Sequence, residues 1–224
     1  MTVPTSSPDP SSYDRLIGAL GAELRPVRRL AAPWLRAALW LGLVAAVAAG
    51  FAMLCDMDAF ARRLAAAPDM WLAVTGSTLT AIAAAVAAFE LSVPGRPAAW
   101  AWLPVPPFAL WVAASGLGCL RDRIVPGTHP LAAGETGDCL IFILGLSIPL
   151  GGVLLFMLRR AFPLRPDLTA VTGALAVAAA AATLLNFFHP FDAAATDLAV
   201  HALAVAVVVV AGRALGRRFF PSTV

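Results

Sequence analysis

The chain has 224 residues, of which 60% are hydrophobic and only 13% are charged. Soluble globular domains carry about 45–50% apolar and about 25% charged residues, so this composition excludes an ordinary soluble domain and indicates an integral membrane protein. The formal net charge is +3, and every basic residue apart from histidine is arginine. No basic groove with interleaved aromatic residues is present, which argues against direct binding of nucleic acid.

The first part of the chain, residues 1–30, predicts a cytoplasmic tail followed by a short helix. Residues 1–12 are rich in proline and serine, which is typical of a flexible tail, and we expect no cleavable signal peptide. From Ser12 the apolar residues recur at helical spacing, which predicts an amphipathic helix at about 12–30 that Pro26 bends or ends. The stripe of this helix consists of Tyr13, Leu16, Ile17, Leu20 and Leu24. Periodicity alone allows it to lie on anionic lipid or in a protein groove.

Six apolar runs occupy residues 31–220, each close to the ~20 residues that cross a hydrocarbon core of ~30 Å. They lie at about 34–54, 70–92, 99–119, 139–158, 168–188 and 195–215. Several prolines near the start of the third run predict an irregular first turn there. The small residues along the runs let helices approach closely in lipid. The predicted fold is therefore an all-α integral membrane protein, a six-transmembrane-helix bundle with a short cytoplasmic N-terminal amphipathic helix.

The distribution of arginine predicts the orientation, because arginine-rich connections tend to stay in the cytoplasm. Four arginines, at positions 62, 63, 121 and 123, lie on one side of the predicted bundle, and the other twelve lie on the opposite side. We expect a multi-pass membrane protein with both termini in the cytoplasm.

This orientation places all three cysteines at the outer face, because Cys55 ends the first span, Cys119 ends the third and Cys139 opens the fourth. Thiolates suit soft or borderline metal ions such as copper, zinc or cadmium, so Cys119 and Cys139 are candidate metal ligands. The same two thiols flank a loop of 19 residues, and a disulfide that closed it would be worth about 3 kcal/mol. A free cysteine also packs as a small apolar residue, which is the alternative for Cys55.

Two histidines extend the candidate metal site. His189, in the phrase NFFHPFD, lies at the same predicted depth as the cysteines. His201 lies about 10 Å deeper in the last span at 1.5 Å per residue, and Asp197 precedes it by four residues, so the two side chains share one helix face. No Ser-His-Asp arrangement, HExxH motif or glycine-rich phosphate loop is found. We therefore expect no enzyme, no catalytic residue and no required cofactor, with a metal ion acting only as a signal.

Several phrases together resemble one family. They are LIGALGAELRPVRRLAAPW, LSVPGRPAAWAWLPVPPFALW, GLGCLRD, GDCLIFIL and NFFHP, in this order. The chain is similar over nearly its whole length to the NrsF-type family of six-span bacterial membrane anti-sigma factors. The resemblance implies a negative regulator in the bacterial inner membrane that holds an extracytoplasmic-function sigma factor and releases it under heavy-metal or oxidative stress.

The resemblance also implies roles for individual residues. The family's two cysteines match Cys119 and Cys139, and its sigma-binding segment falls on Tyr13 to Leu30, which includes Asp14. The predicted partners are thus a sigma factor on the cytoplasmic side and the lipid bilayer. A small metal transporter that uses the same thiols is the alternative, although it would need ionisable residues in the middle of the spans. A third interpretation is a structural membrane partner, which predicts that serine at both cysteines leaves signalling unchanged.

Overall fold

The structure, a computed structural model, contains helices and no strands over the residues that it describes, which are 10–23, 29–66, 68–124, 133–161, 163–188 and 195–219. Side chains are outside the description at residues 10, 12, 63, 66, 68, 69, 117–124, 133–140, 195–201 and 215–219. The helices are α1 (Pro10–Ala22), α2 (Pro33–Leu54), α3 (Met57–Ala66), α4 (Pro68–Leu91), α5 (Val105–Ile124), α6 (Ala133–Arg159), α7 (Pro166–Leu185) and α8 (Ala195–Phe219). The chain divides into two compact units, Met1–Leu30 and Ala31–Val224.

The first unit contains α1, which is shorter than the helix that the sequence predicts. It begins at Pro10, whose fixed φ suits a first helical turn, and it ends at Ala22, beside Gly21. Glycine lowers helix propensity by about 1 kcal/mol relative to alanine, which favours an end at this point. Residues 24–28, which include Leu24, are outside the described part of the chain.

The second unit has the helix lengths of a membrane protein. Four described segments are long and apolar enough to cross a bilayer, namely Pro33–Leu54, Met70–Leu91, Ile141–Arg159 and Pro166–Leu185. They correspond to the first, second, fourth and fifth predicted spans. The other two predicted spans correspond to α5 and to α8, in which Ala202–Ala214 forms a shorter described apolar stretch.

Prolines shape the start of α5 as the sequence predicts. A short 3₁₀ helix at Ala98–Trp102 comes first, and the Leu103 N–H donates to the Trp100 carbonyl at 3.1 Å. The regular helix begins only at Val105, because prolines at 104, 106 and 107 lack the N–H groups that an α-helix interior needs.

Helix α3 is an element that the sequence analysis did not predict. It follows α2 after a two-residue break, and Asp56 caps it by accepting a hydrogen bond from the Ala59 N–H at 2.9 Å through Oδ1. An aspartate at this position satisfies a backbone donor that the first helical turn leaves without a partner.

The core of the bundle is a pair of alanine-rich helices, α4 and α7, which pack against each other. Helix α5 packs against α4, α8 packs against α7, α6 lies against α7 and α8, and α2 lies mainly against α4. Polar contacts also join these helices in the interior: Thr183 donates to Ser77 Oγ at 2.9 Å, and the Trp40 indole N–H donates to the Leu150 carbonyl at 3.1 Å. Alanine dominates because lipid supplies no hydrophobic drive between helices, so close packing has to replace it.

Two glycines mark the closest approaches between helices. A Cβ at Gly76 of α4 would lie 2.8 Å from backbone atoms of Trp111 in α5, and one at Gly212 of α8 would lie 2.5 Å from the Ala174 Cβ in α7. Neither position can carry a larger residue unless the helices separate. By contrast, Gly42 has nothing within 4 Å of such a Cβ, although it belongs to the small residues that suggested packing faces.

Candidate functional site

Two ends of the bundle carry its distinctive side-chain clusters, and we name the first the arginine end. Here the start of α2, the end of α4, the end of α6, the start of α7 and the end of α8 come together. Four contacts show this: Arg36 with Ser92, Arg36 with the Met157 carbonyl, Arg165 with the Arg96 carbonyl at 3.5 Å, and Arg213 with Asp167 at 3.7 Å. The helix ends that the sequence assigned to one side of the membrane therefore do lie together.

Arg36 is the central residue of the arginine end. Its side chain lies in the first turn of α2 and is only 5% exposed. One guanidinium nitrogen donates to Ser92 Oγ at 3.4 Å, another donates to the Met157 carbonyl, and the group lies 4.9 Å from the centre of the Phe89 ring. Ser92 donates its own hydroxyl to the Phe89 carbonyl at 2.7 Å, so its oxygen is free to accept from the arginine.

The position of Arg36 explains how a buried cation is stabilised. No carboxylate in the described part of the chain forms an ion pair with it. Met157 lies in the last turn of α6, where carbonyl groups lack helical partners, and Phe89 lies in the last turn of α4. Helix C-termini carry partial negative charge, so the C-terminal ends of α4 and α6 both stabilise the positive charge of the Arg36 guanidinium. Arg36 thereby joins α2, α4 and α6.

Beside it, Glu90 and Arg96 form an ion pair across the turn after α4. The Arg96 Nε lies 3.0 Å from Glu90 Oε2, and Glu90 is 7% exposed. The oxygen has no hydrogen-bond partner among described residues, so the contact is electrostatic rather than an aligned hydrogen bond. The sequence offers Glu90 two kinds of partner, Arg96 or an arginine of the N-terminal segment, and the structure pairs it with Arg96.

Aromatic rings cluster at the opposite end of the bundle, which we name the phenylalanine end. Phe51 of α2, Phe142 of α6 and Phe188 after α7 form a triangle with centroid separations of 5.0 to 5.9 Å. Phe60 of α3 stacks on Phe187 at 5.3 Å. Such pairs contribute about 0.5–1.5 kcal/mol beyond their buried area, so they hold these helix ends together.

The predicted metal-binding residues lie around this cluster in the chain. Cys55 is a free, partly buried thiol directly after α2, with its Sγ 3.4 Å from Met57 Sδ and 4.0 Å from the Ala52 carbonyl oxygen. Cys139 belongs to α6, three residues before Phe142, and Cys119 belongs to α5, but the side chains of both are outside the description.

The other predicted ligands also fall outside the described side chains. His189 directly follows Phe188 in sequence and is not among the described residues, and the side chains of Asp197 and His201 in α8 are likewise outside them. Among described residues, no group of three His, Cys, Asp or Glu side chains could hold a metal ion. The metal site and the disulfide both remain predictions.

The predicted sigma-binding residues are exposed on α1. Tyr13, Leu16, Ile17 and Leu20 have relative exposures between 52% and 67%, and Asp14 is also exposed. Arg15, on another face of the helix, donates through Nε to the Ser11 carbonyl at 3.2 Å. The other described side chains of α1 are exposed as well, so exposure does not distinguish the apolar stripe from the rest of the helix.

A family comparison covers most of the chain. The family model described as NrsF, a negative regulator of sigma F, matches residues 20–221. This chain belongs to the NrsF family. The match includes the helices of the second unit and both Cys119 and Cys139, whereas Tyr13, Leu16 and Ile17 precede it. No curated protein and no solved structure gave a significant match.

Two features of this NrsF-family chain were missed by sequence reasoning. Arg36 was counted with the arginines of the cytoplasmic segments. Its position inside the apolar run PWLRAALW was the available indication that its side chain is buried in the bundle. The phenylalanine end was missed because its rings come from four separate segments. The recurrence of phenylalanine near span ends, in GFAML, LIFIL and NFFHP, is the signal that was available.

Proposed function

We propose that this protein is a membrane anti-sigma factor. In this proposal it holds an extracytoplasmic-function sigma factor through its N-terminal segment and releases it when thiols at the opposite face react. The observation that carries the proposal is the match of the NrsF family, described as a negative regulator of sigma F, to residues 20–221. A negative regulator anchored in a membrane can act by keeping its target away from the transcription machinery.

In this proposal six helices, α2 and α4 to α8, cross the bacterial inner membrane. The arginine end faces the cytoplasm and the phenylalanine end faces outward. Arg96, Arg165 and Arg213 take part in contacts at the arginine end, which agrees with the preference of arginine for the cytoplasmic side. Both termini then lie where a sigma factor is found.

The sigma factor binds the apolar stripe of α1. Tyr13, Leu16, Ile17 and Leu20 are exposed, as a helix that docks into a protein groove requires. The alternative is that the stripe lies on anionic lipid when the sigma factor is absent. The stripe cannot bind the sigma factor and the bilayer at the same time. The two states can therefore alternate, with the stripe on lipid after the sigma factor is released.

Sensing takes place at Cys119 and Cys139, with His189 as the third candidate ligand. A soft metal ion bound by these residues, or a disulfide formed by an oxidant, would draw the outer ends of α5 and α6 together. The structural zinc sites of small proteins bind with about 10 kcal/mol or more. Shifting an equilibrium from mostly bound to mostly free sigma factor needs about 5.5 kcal/mol, so the binding energy is sufficient.

Helix α6 and Arg36 connect the two ends in this mechanism. Helix α6 has 27 residues, with Cys139 in its second turn and Met157 near its end. A helix of this length is about 40 Å long, and Pro149 in its interior is a point at which it can bend. Its displacement reaches the Met157 carbonyl, hence Arg36, which follows the N-terminal segment by six residues.

The transporter alternative finds little support in the described residues. Their buried charged side chains are Arg36 and Glu90, and both belong to the arginine end. Deeper in the bundle the described buried polar groups are hydroxyls such as Ser77 and Thr80. A path for metal ions would need ligands along the spans.

A reporter for the regulon of the sigma factor tests the proposal in cells that lack the native protein. Wild type should silence the reporter until metal or oxidant is added. A variant without residues 1–30, or with Leu16→Asp on the stripe, should leave it active at all times. Gly18→Asp is the matched control, because Gly18 lies on the other side of α1 with open space around it.

The double variant Cys119→Ser/Cys139→Ser should silence the reporter and no longer respond to the signal. Membrane levels of every variant are measured by immunoblot. Silencing by the variant without residues 1–30 would refute sequestration, and a normal response of the double variant would refute thiol sensing.

A further inference from the structure

An apolar cavity of about 450 Å³ lies between α6, α7 and α8, and we name it the α6–α8 groove. Its walls include Gly151 and Gly152 of α6, Gly173 of α7, and Val207 and Gly212 of α8. Gly151 and Gly152 leave space along α6 because they carry no side chain, whereas Gly173 and Gly212 lie in close contact with neighbouring helices. A Cβ added at Gly152 would meet nothing within 4 Å.

The shape of the groove suits a slender chain. A small apolar cluster closes the groove on the side of the phenylalanine end; it consists of Ile143, Ala181, Leu185 and Ala204. Its wall on α6 runs from Leu144 to Leu158, which is about 21 Å at 1.5 Å per residue. That length exceeds slightly the ~15 Å of one leaflet's hydrocarbon layer.

A transmembrane helix is too thick for this space. A helix is about 10 Å across, so a segment as long as the groove would need about 1,600 Å³, which is more than the groove provides. The groove therefore fits one acyl chain better than a helix from a second copy of the protein.

The lining of the groove is apolar with one exception. Ser147 is 8% exposed and lies on the wall, and its Oγ has no hydrogen-bond partner among described residues. No described side chain reaches it. The wall at this point thus faces space that the described residues do not fill.

Arginines follow the groove walls of α6 and α8 in sequence at the arginine end. Leu158 on the groove wall precedes Arg159, and Gly212 precedes Arg213. Arg159 and Arg160 lie 4.8 and 4.3 Å from the Phe156 ring centre and are exposed, while Arg213 lies 3.7 Å from Asp167. Three arginines against one carboxylate leave a net positive mouth, and such mouths between transmembrane helices attract anionic lipid head groups.

We propose that the α6–α8 groove binds an anionic phospholipid of the bilayer. One acyl chain lies along the groove, and the phosphate lies at Arg159 and Arg213. The lipid would fill the space that the glycines leave and would join α6 to α8 at the arginine end. The proposal stands on the groove and its charged mouth, so it is independent of binding to any sigma factor.

Native mass spectrometry of the full chain in detergent, titrated with phosphatidylglycerol or phosphatidylcholine, tests the proposal. Wild type should retain phosphatidylglycerol in preference to phosphatidylcholine. Gly152→Leu fills the groove and should weaken retention of phosphatidylglycerol roughly tenfold, since the acyl chain loses its apolar contacts. The matched control Gly42→Leu changes an equally open glycine on α2, outside the groove, and should bind as wild type does.

Charge variants test the mouth separately. Arg159→Gln should weaken retention of phosphatidylglycerol roughly fivefold without changing that of phosphatidylcholine, because each arginine near an anionic surface contributes a modest attraction. Arg62→Gln, an exposed arginine on α3, is the control. Thermal unfolding of each variant verifies its fold, and Gly152→Val replaces Gly152→Leu if the larger residue unfolds the bundle.

Three outcomes would overturn the proposal. Unchanged retention in the groove-filling variant would exclude the groove, and equal retention of the two lipids by wild type would exclude the charged mouth. A wild-type dimer that retains no lipid and dissociates when Gly152 is replaced by leucine would assign the groove to a second copy of the chain.

Discussion

At the scale of single residues, Arg36 shows how a charge is stabilised within a membrane-protein bundle. Intramembrane cations are costly and usually find a partner. Here the guanidinium donates to Ser92 and to the Met157 carbonyl and lies near the Phe89 ring, at the C-terminal ends of two helices. Arginine suits this role because its planar group presents several donors in fixed directions, which the compact ammonium of lysine does not.

Replacing Arg36 should therefore destabilise the arginine end. Arg36→Met keeps an unbranched side chain but removes both hydrogen bonds, and each hydrogen bond to a charged group is worth roughly 1.5–3 kcal/mol. We expect a loss of about 3 kcal/mol in the free energy of unfolding, and a smaller loss for Arg36→Lys. Denaturant unfolding in detergent micelles measures both.

The exposed Arg62 of α3 supplies the comparison for this prediction. Arg62→Met removes a charge of the same type without a described buried contact and should change the unfolding free energy by less than about 0.5 kcal/mol. Equal losses for the variants at 36 and 62 would mean that Arg36 does not join the helices.

Residue-level prediction from sequence succeeded where partners are close in the chain. Glu90 and Arg96 are six residues apart, so their ion pair was a natural expectation. The contacts of Arg36 join positions separated by 56 and 121 residues, and no local pattern specifies them. The spacing of apolar residues predicted a helix near the start of the chain, although it did not predict the end of α1 at Ala22.

At the scale of helices, hydropathy identified the long apolar runs, but it did not specify which helix faces touch. The sequence offered many glycines as packing positions. Gly42 and Gly50 face open space in the structure, whereas a Cβ at Gly76 would meet the backbone of α5. Such contacts depend on how two helices are rotated and at what angle they cross. The residue periodicity within each helix does not specify either quantity.

This difference yields a paired prediction for α4 and α2. Gly76→Ala would place a Cβ 2.8 Å from the Trp111 backbone, so α4 and α5 have to separate, and we expect overpacking to cost about 1–3 kcal/mol. Gly42→Ala has open space and should be neutral or stabilising by up to about 1 kcal/mol, because alanine favours helix.

Thermal unfolding of the two purified variants in the same detergent measures these effects. The prediction requires a lower midpoint for Gly76→Ala than for wild type and no decrease for Gly42→Ala. A midpoint for Gly76→Ala at or above that of wild type would show that α4 and α5 do not approach each other this closely.

At the scale of the whole molecule, two chemically different ends define the axis of the bundle. The arginine end joins the helix ends through Arg36, Arg165 and Arg213, and the phenylalanine end joins them through rings such as Phe51 and Phe142. Sequence counting predicted one arginine-rich side without knowing the contacts. It did not reveal the aromatic cluster, which lies beside the free thiol of Cys55 in the chain.

The orientation of this axis in the membrane is open to direct measurement by labelling thiols. In Cys119→Ser/Cys139→Ser, Cys55 is the remaining cysteine, and it is partly exposed after α2. We expect a membrane-impermeant maleimide to label it in intact spheroplasts, because the phenylalanine end faces outward in the proposed arrangement.

A second variant adds Cys55→Ser and Leu164→Cys, a position that is 63% exposed between α6 and α7 at the arginine end. That thiol lies about 30 Å away across the hydrocarbon core and should react only after the cells are permeabilised. The reverse pattern would place the arginine end outside and would make sequestration of a cytoplasmic sigma factor by α1 impossible, since the N-terminal segment leads directly into the arginine end at Arg36.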